Sequence, residues 1–343
     1  MYCLAVVAAL QWRKIKIGRN AVKRVATLAL GLLVILGAWA TPAAAQEWPQ
    51  RTVKFVVPLG PGSGVDISAR LLAERLQKRW GQPVVIENRP GGDGIVAITG
   101  FVGAKDDHVL LYTPTGSFTV HPYQKANLPY DAELDLLPIA RVSNTILAVG
   151  VPASANIASL ADFVAKARAE PGKLNAALVP GITEFVFDGF VKDSDLKIAK
   201  VPYRDIVQAA TDLGENRIQF MMSALAILRP QVQANRIKLV AINGRERTKL
   251  FPDVPTAIEA GVPSLLLEGL VGLFGPRGMD LKLRERIGAD VVAAIADPEI
   301  SAKLIASAQV VNPGGPADLA AAVKEQTEQI AATAKALGIQ RKQ

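Results

Sequence analysis

Short apolar runs alternate with stretches of helical period along most of the chain. Val53-Lys54-Phe55-Val56-Val57 is an apolar run closed by turn residues, the pattern of a buried strand. The Gly/Pro-rich segment Pro58–Gly64 follows. Then Ile67, Leu71, Leu72, Leu76 and Trp80 recur at helical spacing up to Gly81, a helix stop. The same alternation predicts strands at 84–86 and 109–112 with a helix over 95–102 between them. It resumes with a strand at 147–151, a helix over 160–169, a strand at 174–178, a helix over 183–191 and a strand at 198–201. A helix over 207–213 and strands at 218–222, 238–242 and 270–274 complete the series. The tail is mostly helical, with Leu319, Val323, Ile330 and Leu337 on one stripe. Strands alternating with helices specify an α/β fold with largely parallel sheets. Ligands of such sheets bind at the carboxyl ends of strands. The loops after the strands ending near 57, 112 and 178 are therefore the expected site.

The chain has 343 residues, enough for two domains, and a formal charge of +8. That charge suggests nucleic acid or an acidic membrane until its position is considered. The first 45 residues carry six basic groups, Arg13, Lys14, Lys16, Arg19, Lys23 and Arg24, and no acid. An uncharged run from Val25 leads to Pro42-Ala43-Ala44-Ala45-Gln46. This is the pattern of a secretory signal peptide cut after Ala45, with a retained membrane anchor as the alternative. The basic region is long, so a translation start near Val22 is a second expectation. Without the leader, 33 basic groups face 31 acidic ones, and the single Cys is gone. A nearly neutral, Cys-free chain suits an oxidising compartment and gives no case for nucleic acid.

The loop Gly60–Gly64 reads Gly-x-Gly-x-Gly ahead of a helix. Free N–H groups at a helix start and close backbone approach bind a carboxylate or phosphate. The pattern fits neither a dinucleotide fingerprint nor a P-loop. The alternative is an ordinary tight turn, with Asp66 as a first-turn acid. Thr113, Thr115, Gly116 and Ser117 offer a neutral polar cradle or simple helix capping. His121 reads as a structural or pocket-wall residue. His108, beside Asp106 and Asp107, reads as exposed. Asp131, Glu133 and Asp135 alternate as on an exposed turn rather than a metal site. Two His and no nucleophile elbow leave Ser63 with His121 as a remote hydrolase alternative. No cofactor or metal is expected.

Several motifs in order resemble the extracytoplasmic solute receptors of tripartite tricarboxylate transporters, the Bug family. They are Trp48-Pro49, Val56-Val57-Pro58, Pro61-Gly62 with Asp66 and Ala69-Arg70, and the run Gly81–Gly91 containing Glu87-Asn88-Arg89-Pro90. Leu128-Pro129-Tyr130-Asp131, Pro171-Gly172-Lys173-Leu174-Asn175 and Val201-Pro202-Tyr203 follow, then Pro252-Asp253-Val254-Pro255-Thr256 and Glu259-Ala260-Gly261-Val262-Pro263. The resemblance covers essentially residues 46–343. It implies a two-domain periplasmic binding protein-like fold with a ligand cleft. Domain one would be 46–147 with 270–343, and domain two 148–269. Small carboxylates would be held by Leu59, Gly62, Ser63, Gly64 and Asp66, and by Thr113, Thr115, Gly116, Ser117 and His121. Domain two would add Pro180, Gly181, Thr183, Tyr203, Arg204 and Ser223.

The chain departs from the family where the domain-two loop reads Leu178-Val179-Pro180-Gly181-Ile182-Thr183-Glu184, with few hydroxyls. Tyr203-Arg204-Asp205 and Met221-Met222-Ser223-Ala224 depart as well. The lack of an acid at Ser223 argues against an amino-acid ligand. Arg204 would hold a distal carboxylate or pair with Asp205 or Glu184; both remain open. The expectation is a periplasmic, non-catalytic and monomeric receptor for a dicarboxylate or an aromatic carboxylate. It would deliver to transporter subunits in the membrane, or alternatively report to a sensor kinase.

Overall fold

The computed structural model describes residues 48–179, 181–203 and 205–342. The expected leader lies outside them. The strands are β1 Val53–Val57, β2 Val84–Asn88, β3 Val109–Pro114, β4 Leu137–Thr145, β5 Leu147–Pro152 and β6 Asn175–Leu178. They continue as β7 Ala199–Pro202, β8 Phe220–Ala224, β9 Ile237–Ile242, β10 Gly269–Gly275 and β11 Gln309–Gly314. The helices longer than two turns are α1 Gly64–Trp80, α2 Ile95–Ala104, α3 Leu160–Ala169, α4 Ile182–Asp193 and α5 Ile206–Gly214. After them come α6 Leu225–Gln233, α7 Leu281–Ile295, α8 Pro298–Ala306 and α9 Pro316–Leu337. Among the described residues no helix is long and apolar enough to cross a membrane.

Two sheets result. The first orders its strands β11-β4-β10-β3-β1-β2, the second β7-β6-β8-β5-β9. We call each sheet with its covering helices a lobe. The α/β class agrees with the sequence pattern, but the sheets are mixed rather than mainly parallel. β1 runs parallel to β2 and β3, whereas β10 is antiparallel to β3 and β4, and β11 to β4. In the second sheet β6 is parallel to β7 and β8, and β5 is antiparallel to β8 and β9. The reason is the chain path. A parallel neighbour needs a crossover connection, but β4 and β5 are separated by Ile146 alone as the chain leaves one sheet for the other. The return strand, β10, then lies directly beside β4.

Burial explains the local choices. In β1 all but Lys54 is buried, as in a central strand covered on both faces. Helix α1 buries Val65, Ala69, Leu72 and Leu76, while Ile67, expected on that stripe, faces solvent. Gly81 closes α1 with φ 66, a left-handed cap that suits glycine. Helix α9 serves both lobes: Leu319 belongs to the first lobe's core, and Ile330 and Ala334 to the second's. Gln326, midway along it, accepts from the hydroxyls of Thr115 (2.6 Å) and Thr119 (3.3 Å) and donates to the Glu268 carbonyl (3.0 Å).

The second lobe's core is built on Phe220 of β8. Its ring lies 5.0, 5.1 and 5.8 Å from those of Phe163, Phe187 and Phe190, and it is fully buried. Truncating a buried Phe removes its transfer free energy and leaves a cavity, together about 3–5 kcal/mol. Phe220→Ala is expected to lose about that much stability in urea denaturation. A loss below about 1 kcal/mol would contradict this packing.

Candidate functional site

The first loop turns on Gly62, whose φ of 83 lies where side chains other than glycine's are strained. Ser63 caps α1, its Oγ accepting from the Asp66 N–H at 3.2 Å. Asp66 is buried and wholly occupied. It accepts from the Gly62 N–H (2.9 Å), Arg70 Nε (3.1 Å) and Asn88 Nδ2 (2.8 Å). The same Asn88 amide donates to the Leu59 carbonyl at 2.9 Å. Asp66 therefore braces this loop. What the loop offers are the N–H groups of Gly64 and Val65, which find no acceptor among the described residues. Gly64 also packs beside Gln309, whose amide nitrogen is buried without a partner.

The second loop divides its duties. Thr113 is fully buried and donates to the Pro114 carbonyl at 3.0 Å. Thr115 is tied to β10 and α9 through Leu270 and Gln326. Both hydroxyls are engaged within the protein. Gly116 and Ser117 open the helical turn Gly116–Thr119, and their N–H groups have no acceptor among the described residues. Ser117 lies against Gly94, and Gly94 against Pro58; a Cβ on Gly94 would stand 3.1 Å from Ser117 Cβ and 3.4 Å from Pro58 Cβ. That contact draws the two loops together.

The second lobe meets them at the start of α4. Gly181 precedes that helix with φ 131 and no side-chain cap. The N–H groups of Ile182 and Thr183 find no acceptor among the described residues. A Cβ on Gly116 would lie 2.8 Å from Ile182 Cγ2, and one on Gly181 would lie 2.9 Å from both Asp93 carboxylate oxygens. Gln124 donates to the Gly181 carbonyl at 3.2 Å. The lobes thus touch through Gly116–Ile182 and Asp93–Gly181. Gly116 and Ile182 bring the second and third of these helix starts together, and each start is a partial positive charge.

The other expected residues stand as follows. Tyr203 donates to Asp212 at 2.6 Å within its own lobe, and burial first, then that acceptor, push its phenol up to about 12. Ser223 is buried in β8 opposite Ala148, its hydroxyl unpaired. Pro180 and Arg204 lie outside the described residues. Both acids weighed as partners for Arg204 are engaged elsewhere, Glu184 with Lys200 (3.1 Å) and Asp205 as the cap of α5. Ser63 is a cap, while His121 contacts Tyr130 and Asp93; no contact among the described residues joins Ser63 to His121. His108 is buried and accepts from the Gln50 N–H, contrary to its expected exposure, because the turn tucks under the start of β1. Asp135 is likewise buried, held by Arg277 at 2.9 Å. Sequence reasoning missed Asp93, Gly94, Gln124, Tyr130 and Ile182. The signal available was Gly91-Gly92-Asp93-Gly94 at the carboxyl end of another parallel strand.

A family model described as "Tripartite tricarboxylate transporter family receptor" matches residues 68–339. A UPF0065 protein of Bordetella bronchiseptica is 32% identical over 297 residues, 86% of this chain and 88% of that one. Two solved Rhodopseudomonas palustris structures share 26% identity. MatC with bound malate has a TM-score of 0.72 over 83% of this chain and 99% of its own, and a second protein with adipate has 0.76 over 85% and 99%.

Two outcomes check this geometry. Burial raises the Asp66 carboxyl, but the bonds from Arg70, Asn88 and Gly62 outweigh it and hold it below the ordinary carboxylate range. A lowered folded pKa contributes stability above the unfolded value, near 4. Wild type should exceed Asp66→Asn in urea stability at pH 7, and the gap should shrink as pH falls below about 4. A gap independent of pH would contradict the brace. Separately, Gly116→Val should enlarge the ligand-free radius of gyration in X-ray scattering, and adding Ile182→Ala should restore it. An unchanged radius in the single variant would contradict the closed contact.

Proposed function

Because the chain belongs to the tripartite tricarboxylate transporter receptor family, we propose that it is a periplasmic receptor for a small organic carboxylate, delivering it to a membrane transporter. The observation that carries this reading is the trio of helix starts with unpaired N–H groups, at Gly64–Val65, Gly116–Ser117 and Ile182–Thr183. A carboxylate is an anion at neutral pH, and backbone dipoles bind it without a cationic side chain. Malate and adipate in the two similar structures are both carboxylates, which supports the class.

The sheets act as domain one, 46–147 with 270–343, and domain two, 148–269. They hinge where the chain passes between them, around Ile146 and Leu267–Gly269. A ligand stabilises the closed form. Export by the basic-apolar leader, cut after Ala45, brings the nearly neutral mature chain to the periplasm.

The test is a thermal-shift screen of mono-, di-, tri- and aromatic carboxylates on the mature chain, followed by calorimetry. At least one acid should raise the melting temperature. Gly62→Val, strained at φ 83, should then weaken that acid at least tenfold, about 1.4 kcal/mol. No shift with any acid would contradict the receptor reading, and unchanged affinity in the variant would remove this loop from the site.

A further inference from the structure

Asp93 stands in the one-turn helix Gly92–Gly94, just after β2, with φ 57 and ψ 36. Among residues with a side chain, Asp and Asn adopt this left-handed region most readily. The turn places its carboxylate between the lobes, against Gly181 at the uncapped start of the 12-residue helix α4. Behind it stands His121, fully exposed to nothing but protein: its Nε2 lies 3.3 Å from Asp93 Oδ2, yet neither buried atom makes a hydrogen bond. On its other side His121 Nδ1 is 2.5 Å from the Tyr130 hydroxyl. Burial, and then the Asp93 charge, push that phenol above its ordinary value, so it stays protonated.

We propose that Asp93 is a specificity-determining residue. The chain's own carboxylate stands against Gly181, just before α4, without bonding that helix's N–H groups, so the cleft selects acids with one carboxylate and an uncharged far end. This rests on the receptor reading above. A ligand carboxylate seated on the N–H groups of Gly64, Val65, Gly116 and Ser117 directs its far end toward α4, where Ile182 already reaches Gly116. A second carboxylate arriving there meets Asp93, and two like charges in a desolvated cleft repel strongly. An apolar end meets Ile182 instead. Of the two ligand types expected from the sequence, the geometry therefore favours the aromatic monocarboxylate over the dicarboxylate. In this the chain differs from the relatives solved with malate and adipate.

The experiment is calorimetry on the mature chain with matched pairs: hexanoate against adipate, and benzoate against terephthalate. The wild type should bind the monoacid of a pair at least tenfold more tightly. Asp93→Asn keeps the shape and removes the charge, and should cut that preference at least tenfold. Asp93→Gly suits the left-handed backbone and should do the same should the Asn variant fold poorly. A purely structural role would weaken both members equally, so an unchanged ratio in both variants overturns the proposal. A wild type that binds diacids as tightly as monoacids overturns it as well. Should none of the four acids bind while another carboxylate in the screen does, the inference fails and the receptor reading stands. Failure of every carboxylate would end both.

Discussion

The site depends on a constraint that every helix carries: its first N–H groups have no partner within the helix. In this chain α1 and α4, together with the short turn at Gly116, begin with backbone donors that find no acceptor among the described residues. The surrounding residues are arranged to keep them so. Asp66, an obvious acceptor at the start of α1, is drawn aside by Arg70 and Asn88 and used to hold Gly62. Thr115 turns its hydroxyl away to Gln326. What remains is a cluster of partial positive charges made of main chain.

Closing two lobes over such a cluster requires close approach, and glycine provides it at two points. Gly116 accepts the side chain of Ile182, and Gly181 accepts the carboxylate of Asp93. Helix α9 limits the alternatives by contributing Leu319 to one core and Ile330 to the other. Motion between lobes must therefore either carry this helix or slide against it. The formal charge of +8 has little part in this account, since six of the positive charges lie in the first 45 residues. In the proposed receptor, affinity for anions arises from loop geometry.

Much of the fold was legible because buried strands such as β1 and amphipathic helices such as α3 have short, strong periodic signals. Strands β4 and β11 were not, and the cause is physical. Leu137-Pro138-Ile139-Ala140-Arg141-Val142-Ser143-Asn144-Thr145 mixes buried and half-buried positions, and Gln309–Gly314 lies at a sheet edge and contains Asn-Pro-Gly. Neither forms an apolar run. The loops themselves were found from glycine content and strand ends. The division of labour within them was not, because whether Thr115 serves a ligand or Gln326 depends on a residue 211 positions away. Asp93 was hidden for a similar reason: its neighbours Gly181 and His121 come from other parts of the chain.

The central claim is that main-chain N–H groups, not a cationic side chain, hold the ligand's carboxylate. A crystal structure of the mature chain with the acid that most raises its melting temperature tests this most directly. The account predicts carboxylate oxygens within hydrogen-bond distance of the N–H groups of Gly64–Val65 and Gly116–Ser117, with the far end against Ile182. A carboxylate paired instead with an Arg or Lys side chain, or seated outside the space between the lobes, would contradict it.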